Sequence, residues 1–358
     1  MPTATSVALE ERAVKWLLNQ EHPGIRYWAL RDLLGESAND PEVSSYRNQI
    51  ASHGPVVDLL AEQHPDGYWG HPEDCYWPKW QATVWPLILL AEMGLPGDNP
   101  RIRSACEYYL KTAMEQDKSW PPPDYPEGDL TGYRLLWEPC VTGNMARTLV
   151  QFGHENDPRV RGMFDWLIRT QLPDGGWNCE PGPWGKEVHH SSFMSTIEPL
   201  WAFSVLEPSE WPKGGKEAVE RGCEFLLMHR VYKSDRDGRV INEEWTKLHF
   251  PLFYFYDILH ALRVLTDLGY GHDERTGDAL GLLQSKRLPD GAWAMEATFL
   301  EKIRRNFAKD SATGQWREIS GQGIAQIPTV YSSLGSVGGP NPWVTLNALR
   351  VLKGVHSI

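Results

Sequence analysis

The stretch QLPDGGW (residues 171–177) returns twice in the chain, as QHPDGYW (residues 63–69) and as RLPDGAW (residues 287–293). Each copy follows one apolar segment with helical periodicity and precedes another. The copies are spaced roughly one third of the chain apart, which marks an internal repeat. Such a repeat predicts that the chain is built from similar units that bury their apolar faces against one another.

Helical periodicity and turn signals divide the chain into six helix pairs. The first helix of a pair often follows an Asp-Pro or Asn-Pro start signal and carries charge on one face. The second helix is apolar on nearly every side and must therefore be buried. Six half-exposed and six buried helices predict an all-α fold, an (α/α)6 barrel with an outer and an inner ring. The predicted pairs are residues 7–19 with 26–34, 43–62 with 79–93, 102–115 with 142–152, 159–170 with 192–206, 216–232 with 252–268, and 274–286 with 342–353.

Long loops lead into several of the inner helices. We expect residues 1–358 to form a single toroid domain, with loops over residues 117–140, 172–191 and 289–341. Structureless connections of this length are uncommon in compact domains unless they have a function. Because they all enter the N-terminal ends of inner helices, they should crowd one mouth of the barrel, where we expect the chemistry.

Composition narrows the class of protein. The net charge of -12 argues against binding to nucleic acid or to an anionic membrane surface. No targeting segment and no apolar run of membrane-spanning length is recognisable, so we expect a cytoplasmic protein. Five cysteines without tight spacing predict reduced thiols rather than a disulfide framework. The oligomeric state is left open by the sequence, and 17 tryptophans are an unusual surplus.

The Asp-Gly-x-Trp repeat resembles the aromatic repeat of squalene and hopene cyclases, whose α/α toroid also serves the β-subunits of protein prenyltransferases. The resemblance covers nearly the whole chain and implies an inner cavity for an isoprenoid or other hydrophobic substrate. The catalytic motifs of these families are not matched. The nearest acidic segments are EDC (residues 73–75) and DRD (residues 235–237). A partial match to the prenyltransferase zinc motif runs from Glu73 to Tyr76 before Trp80, one residue longer than the family pattern.

A first candidate site consists of Cys140, Cys179, His189 and His190. The barrel arrangement should bring these residues to neighbouring positions on one rim. Two thiolates and an imidazole can hold zinc tetrahedrally and leave one position for water or substrate. Alternatively, Cys140 fills apolar space and the His pair caps a helix.

A second candidate is Asp257, which follows Tyr254 and Tyr256 in an aromatic segment. A carboxyl group in a dry aromatic cavity has a raised pKa and can act as a general acid, while the ring faces stabilise a cation. Tyr256 beside it is a further catalytic candidate. Alternatively, Asp257 bonds to Arg263 or to loop backbone and orders the helix.

Asp74 and Cys75 form a third candidate, because the start of a helix favours a thiolate and a neighbouring acid can assist it. The alternative is a simple helix cap by Asp74. We expect the substrate-binding residues to be Trp80, Trp201, Tyr254 and Glu198, all on or near inner helices.

The leading functional hypothesis is an enzyme that acts on a hydrophobic, isoprenoid-like small molecule by acid/base or metal-assisted chemistry. Cyclisation, isomerisation, hydration or transfer all fit this description. A non-catalytic toroid that binds a ligand or peptide is a second possibility. A carbohydrate-active barrel is a third, with Asp74 and Asp257 as its carboxylate pair.

Overall fold

The computed structural model describes residues 4–72, 75–76, 79–115, 138–179, 188–298, 306–309, 316–319 and 329–356. These residues include thirteen α-helices and a short antiparallel hairpin of β1 (Asn306–Lys309) and β2 (Trp316–Ile319). The helices are α1 (Ala4–Leu18), α2 (Pro23–Trp28), α3 (Pro41–Gln49), α4 (Gly54–Ala61), α5 (Val84–Glu92), α6 (Pro100–Glu115), α7 (Pro139–Gln151), α8 (Pro158–Arg169), α9 (Phe193–Ser204), α10 (Gly215–Met228), α11 (Ile258–Asp267), α12 (Gly277–Ser285) and α13 (Pro342–His356).

The helices form two concentric rings. The inner ring contains α2 with its π-helical continuation Ala29–Leu34, then α5, α7, α9, α11 and α13. The outer ring contains α1, α3 with α4, α6, α8, α10 and α12. Successive inner helices contact each other from α5 to α13, and α13 packs against α2. The Trp28 indole donates to the Glu92 carbonyl and joins α2 to α5. The predicted (α/α)6 barrel is confirmed.

Two inner helices begin later than the sequence predicts. Helix α5 begins at Val84 rather than at residue 79, and α11 begins at Ile258 rather than at residue 252. The backbone ahead of each helix takes a left-handed conformation at an aromatic residue, with φ of 68° at Trp80 and 52° at Phe253. These two rings stack on each other, with centroids 4.5 Å apart. Contact between distant parts of the chain thus overrides local helical periodicity.

The tryptophan of each repeat joins an outer helix to the inner helix that follows it. The Trp177 indole donates to the Leu167 carbonyl near the end of α8 at 2.7 Å, and its backbone N–H donates to the Thr196 hydroxyl of α9 at 3.0 Å. The same two bonds recur in the other copies. They join Trp69 to Leu59 and Thr83, and Trp293 to Leu283 and Thr345.

The glycine of each copy contacts the next outer helix. Gly175 has a φ of 102°, and a methyl group there would lie 2.5 Å from the carbonyl oxygen of Arg221 on α10. Gly291 meets the Leu9 carbonyl of α1 in the same way, so the last copy closes the ring onto the first helix. Each joint therefore ties together the two helices of its own pair and the following outer helix.

We expect Gly175→Ala to destabilise the protein more than Gly153→Ala. Both glycines are left-handed, and alanine in that conformation costs about 1–2 kcal/mol. Gly153 has open space around it, whereas Gly175 faces backbone that must move. Chemical denaturation should show a loss of about 3 kcal/mol or more in the free energy of unfolding for Gly175→Ala. Equal losses in the free energy of unfolding of the two variants would contradict a structural role for the contact between Gly175 and α10.

Candidate active site

Two thiols and a carboxyl group meet where α7 begins. Glu138 occupies the cap position before Pro139, and Cys140 lies in the first turn of the helix. Cys179 lies in the loop after Trp177. The two sulfur atoms are 3.0 Å apart, and the Cys140 thiol donates to Glu138 Oε2 at 3.6 Å. One ligand-type atom from each of Glu138, Cys140 and Cys179 lies within 4.8 Å of the other two.

These groups form a directed chain of hydrogen bonds. The Ser195 hydroxyl of α9 donates to Cys179 Sγ at 3.1 Å, and Cys179 donates to Cys140. Cys140 in turn donates to Glu138. The Cys179 backbone N–H donates back to Ser195 at 3.1 Å and fixes the loop on α9. The chain connects the start of α9 to a carboxyl group at the start of α7.

A lysine lies among aromatic rings close to this cluster. Lys79 Nζ donates to the Tyr254 hydroxyl at 2.5 Å and lies 4.6 Å from the Tyr254 ring centroid. The same nitrogen is 5.3 Å from the Tyr76 ring centroid. These distances are typical of cation–π contacts. The aromatic faces at this mouth thus already stabilise one positive charge.

Burial brings an acid and a base of the site into the neutral range. It raises the pKa of Glu138 to about 7, although Cys140 donates to the carboxylate and Lys79 attracts it. It also lowers the pKa of Lys79 to about 8, against the attraction of Glu138. The pKa of Cys140 is raised well above its ordinary value, first by its bond with Cys179 and then by burial. Groups that titrate near pH 7 in a buried cluster are typical of catalytic sites.

An aromatic shelf adjoins the cluster. Trp80 is completely buried and packs against Phe253, Trp85 and Tyr254, with ring centroids 4.5, 4.6 and 6.1 Å away. The Tyr331 hydroxyl donates to the Trp80 carbonyl at 2.8 Å and holds the strained turn. Trp80 and Tyr254, both expected to bind substrate, therefore belong to one aromatic cluster, in which Trp80 itself is fully enclosed.

Asp257 is completely buried and caps α11. Its Oδ1 accepts the His260 backbone N–H at 2.8 Å, and its Oδ2 accepts the His249 backbone N–H at 2.9 Å. His249 Nδ1 lies 3.3 Å from the same oxygen. Arg263 pairs with Glu92 instead. This geometry supports the alternative in which Asp257 bonds to loop backbone and orders the helix.

The neighbouring candidates make structural contacts. The Tyr256 hydroxyl is buried and donates to the Val231 carbonyl at 2.5 Å. Cys75 is buried, and its carbonyl accepts the N–H of Val84 at the start of α5. Asp74 lies outside the described residues, as does most of the loop over residues 117–140.

His189 and His190 are exposed and are not members of the three-residue ligand cluster. His190 instead lines an outer groove of 630 Å³ together with Asp174 and His229. Glu138 takes the position among the thiols that the sequence analysis assigned to a histidine. Whether the cluster binds a metal stays a prediction.

A second polar layer lies deeper in the barrel. Glu198 is completely buried on α9, and its Oε1 is 3.3 Å from Nε2 of His260. Trp201 lies one turn further along, with Arg147 over its ring at 3.6 Å and Arg263 at 5.0 Å. Both Glu198 and Trp201 were expected to bind substrate. The structure places them beside buried arginines that the sequence analysis did not single out.

Sequence reasoning missed Glu138, Lys79, Ser195 and Arg147. Glu138 had a usable signal, since it precedes the Pro139-Cys140 start of an inner helix. Arg147 had another, because a charged residue inside an apolar inner helix must find a partner. The positions of Lys79 and Ser195 depend on contacts between separate loops, which no local pattern reveals.

Comparison with known proteins gives partial similarities, and no protein-family model matches. The chain is 26% identical over 137 residues to lanosterol synthase erg7A of Aspergillus fumigatus, covering 37% of this chain and 16% of that one. It is 25% identical over 173 residues to lanosterol synthase of Candida albicans, covering 45% and 21%. The matches thus span about a fifth or less of those relatives.

Solved structures match over nearly full length at low similarity. A protein from Actinoplanes has a TM-score of 0.44 at 15% identity, with 98% of this chain and 100% of that one covered. The type II terpene cyclase MstE from Scytonema has a TM-score of 0.45 at 14% identity, with 98% of each chain covered.

No helix in the described part of the chain is both long and apolar enough to cross a membrane.

We expect Asp257→Asn to lower stability. The amide still accepts from the His260 N–H, but its other end is a donor that faces the His249 N–H. One buried donor left without an acceptor costs about 1–3 kcal/mol in the free energy of unfolding. Asp40→Asn is the matched control, because Asp40 caps α3 at the surface and asparagine caps equally well. Denaturation curves that coincide for the two variants would exclude the buried cap.

Proposed function

We propose that the protein is an enzyme that protonates a hydrophobic, isoprenoid-like small molecule bound at the barrel mouth, with Glu138 as the general acid. The observation that carries the proposal is a half-buried carboxyl group with a pKa of about 7, hydrogen-bonded to a thiol and adjacent to aromatic rings. Such a group is protonated in a useful fraction at neutral pH and gains reactivity from its dry surroundings.

The proposed step transfers one proton. The Glu138 carboxyl gives its proton to a carbon of the substrate double bond, which leaves a carboxylate and a carbocation. The Cys140 thiol donates to the carboxylate that forms. Cys140 in turn accepts a hydrogen bond from Cys179, which accepts one from Ser195. Closure of a ring onto the cation and loss of a proton complete a cyclisation or isomerisation. A proton from solvent restores the acid.

The surrounding rings suit the cation in this scheme. Tyr254 and Tyr76 already interact with the Lys79 ammonium group through their faces. The same electrostatic attraction stabilises a carbocation by about 0.5–2 kcal/mol per ring. We assign the substrate-binding surface to Trp80 and Tyr254 near the mouth, with Trp201 and Glu198 deeper in the barrel. The partial similarity to two lanosterol synthases supports an isoprenoid substrate.

We expect Glu138→Gln to lower kcat by about 10²–10⁴-fold, the usual contribution of a positioned general acid. The measurement is product formation by gas chromatography with a panel of linear substrates: farnesol, farnesoic acid, farnesyl phosphate, geranylgeraniol, squalene and squalene epoxide. Because the reactive form of Glu138 is protonated, kcat should be constant well below pH 7 and should fall about tenfold per pH unit above it.

The exposed Glu36 provides the control, and Glu36→Gln should leave the rate unchanged. If turnover survives in Glu138→Gln but is lost in a folded Asp257→Asn variant, the general acid is Asp257 rather than Glu138. No conversion of any panel member by the native protein would favour the non-catalytic binding toroid.

A zinc site at the same position is a second candidate function. It rests on the mutual proximity of Glu138, Cys140 and Cys179, whose donor atoms suit a three-ligand catalytic zinc site. Zinc bound there would polarise a substrate oxygen or lower the pKa of a bound water. The raised pKa of Cys140 opposes thiolate formation unless a cation compensates for it. The two candidates exclude each other, because a Glu138 bound to zinc has no proton to donate.

Metal analysis decides between them. The zinc candidate predicts about one equivalent of zinc in protein purified without chelators, and its loss in the Cys140→Ser, Cys179→Ser double variant. Cys106→Ser is the control, since Cys106 is buried at an outer-ring position away from the cluster. Full turnover in metal-free protein would refute the zinc candidate and leave the acid mechanism in place.

A further inference from the structure

The guanidinium group of Arg147 lies inside the barrel with part of its hydrogen-bonding capacity unused. Arg147 is completely buried on α7 and lies over the Trp201 ring of α9. Its Nη1 donates to Gln151, one turn further along α7, at 2.8 Å. Its Nε and Nη2 have no hydrogen-bond partner among the described residues. A buried cation in this state is strongly unfavourable unless an anion joins it.

The two unpartnered nitrogens lie next to each other. Nε and Nη2 form one edge of the guanidinium plane, and Gln151 occupies only the opposite side. That edge grips a carboxylate or phosphate through two parallel N–H···O bonds, the geometry for which arginine is best suited. These two donors are therefore suited to two oxygen atoms of one oxyanion rather than to a single carbonyl oxygen.

Neighbouring acids are engaged elsewhere. Glu92 of α5 pairs with Nη1 of Arg263 at 3.0 Å. Glu198 contacts His260, and burial raises the pKa of Glu198 well above its ordinary value, which favours its neutral form. No carboxylate of the described residues forms an ion pair with Arg147. Arg147 therefore has no hydrogen-bonded counterion among the described residues, and only the longer-range attraction of Glu92 and Glu198 offsets its burial.

Further polar groups surround the same indole ring. His260 packs against Trp201 with ring centroids 4.6 Å apart, and Arg263 lies 5.0 Å from its centroid. His260 Nδ1 and Arg263 Nε are buried and also lack partners among the described residues. Glu198 Oε2 is the nearby acceptor in the same condition. Around Trp201, in the described part of the chain, three arginine nitrogens without a partner outnumber the single unpartnered carboxylate oxygen, which again fits an anion.

We propose that the barrel interior binds an oxyanion, the carboxylate or phosphate at one end of an otherwise hydrophobic ligand, with Arg147 as its bidentate partner. This inference rests on the proposed function, because it names the head group of the same substrate. Cys140 and Arg147 lie on one face of α7, seven residues or about 10 Å apart along the helix. A ligand held at Arg147 by its head therefore presents its chain to Glu138.

The experiment compares ligands that differ only at the head group. Calorimetric titration of the full chain at pH 7.5 would use farnesoic acid, farnesyl phosphate and farnesol, with inorganic phosphate alone as a fourth arm. We expect the acid or the phosphate ester to bind at least about tenfold more tightly than farnesol. The arm with the higher affinity identifies carboxylate or phosphate. Binding of inorganic phosphate alone at similar affinity would mean that the hydrophobic chain contributes nothing, and would overturn the proposal.

Variants locate the head group. Arg147→Met should remove the advantage of the acid over the alcohol, a loss of about 10–100-fold in affinity, while Arg12→Met at the exposed surface should not. Arg147→Lys keeps the charge but lacks the two-pronged edge, so it tests the geometry if the methionine variant does not fold. Equal binding of farnesoic acid by native protein and by Arg147→Lys would contradict bidentate recognition.

Glu138→Gln should still bind the acid without converting it. Binding that depends on Arg147 without any turnover would refute the proposed reaction but not the anion site.

Discussion

The barrel depends on three buried tryptophans that each hydrogen-bond to both helices of a pair. Each indole N–H donates to a carbonyl near the end of an outer helix, and each backbone N–H donates to a threonine at the start of an inner helix. A buried donor without an acceptor is costly, so the loop has few other conformations available. The glycine two residues before each tryptophan then holds the loop against the next outer helix. Local bonds in each repeat thereby connect each helix pair to the next outer helix.

The same joints determine where the reactive groups lie. Cys179 follows Trp177 by two residues, and Ser195 adjoins the threonine that fixes that tryptophan. Once the joint forms, the thiol and the hydroxyl are held at the start of α9, next to the first turn of α7. A structural repeat therefore positions chemistry that it does not itself perform. Its sequence is informative about geometry and silent about reaction.

The sequence predicts the barrel well because periodicity and turn chemistry are local properties. It also predicts that Cys140 and Cys179 share a rim, since both follow inner-helix signals in neighbouring units. It fails at the starts of α5 and α11, where Trp80 and Phe253 stack across the mouth in left-handed conformations. The cap role of Asp257 depends on a bond from His249, and the importance of Arg147 depends on what its neighbours pair with. Both depend on tertiary contacts that no local sequence pattern reveals.

The polarity of the interior argues for a ligand rather than for packing. A barrel whose interior served only stability would be expected to fill it with apolar side chains, because replacing buried charges by well-packed hydrophobic residues is often neutral or stabilising. Here the inner helices instead bury Arg147, Glu198 and His260 around one tryptophan, and burial shifts all three pKa values against their charged forms. We therefore interpret these buried polar residues as part of a ligand-binding site. Glu138 at the mouth and Arg147 in the interior lie along one helix, so an acid and an anion-binding group are separated by a fixed length of α7. That separation sets the distance between the head group and the reacting carbon of any ligand that uses both.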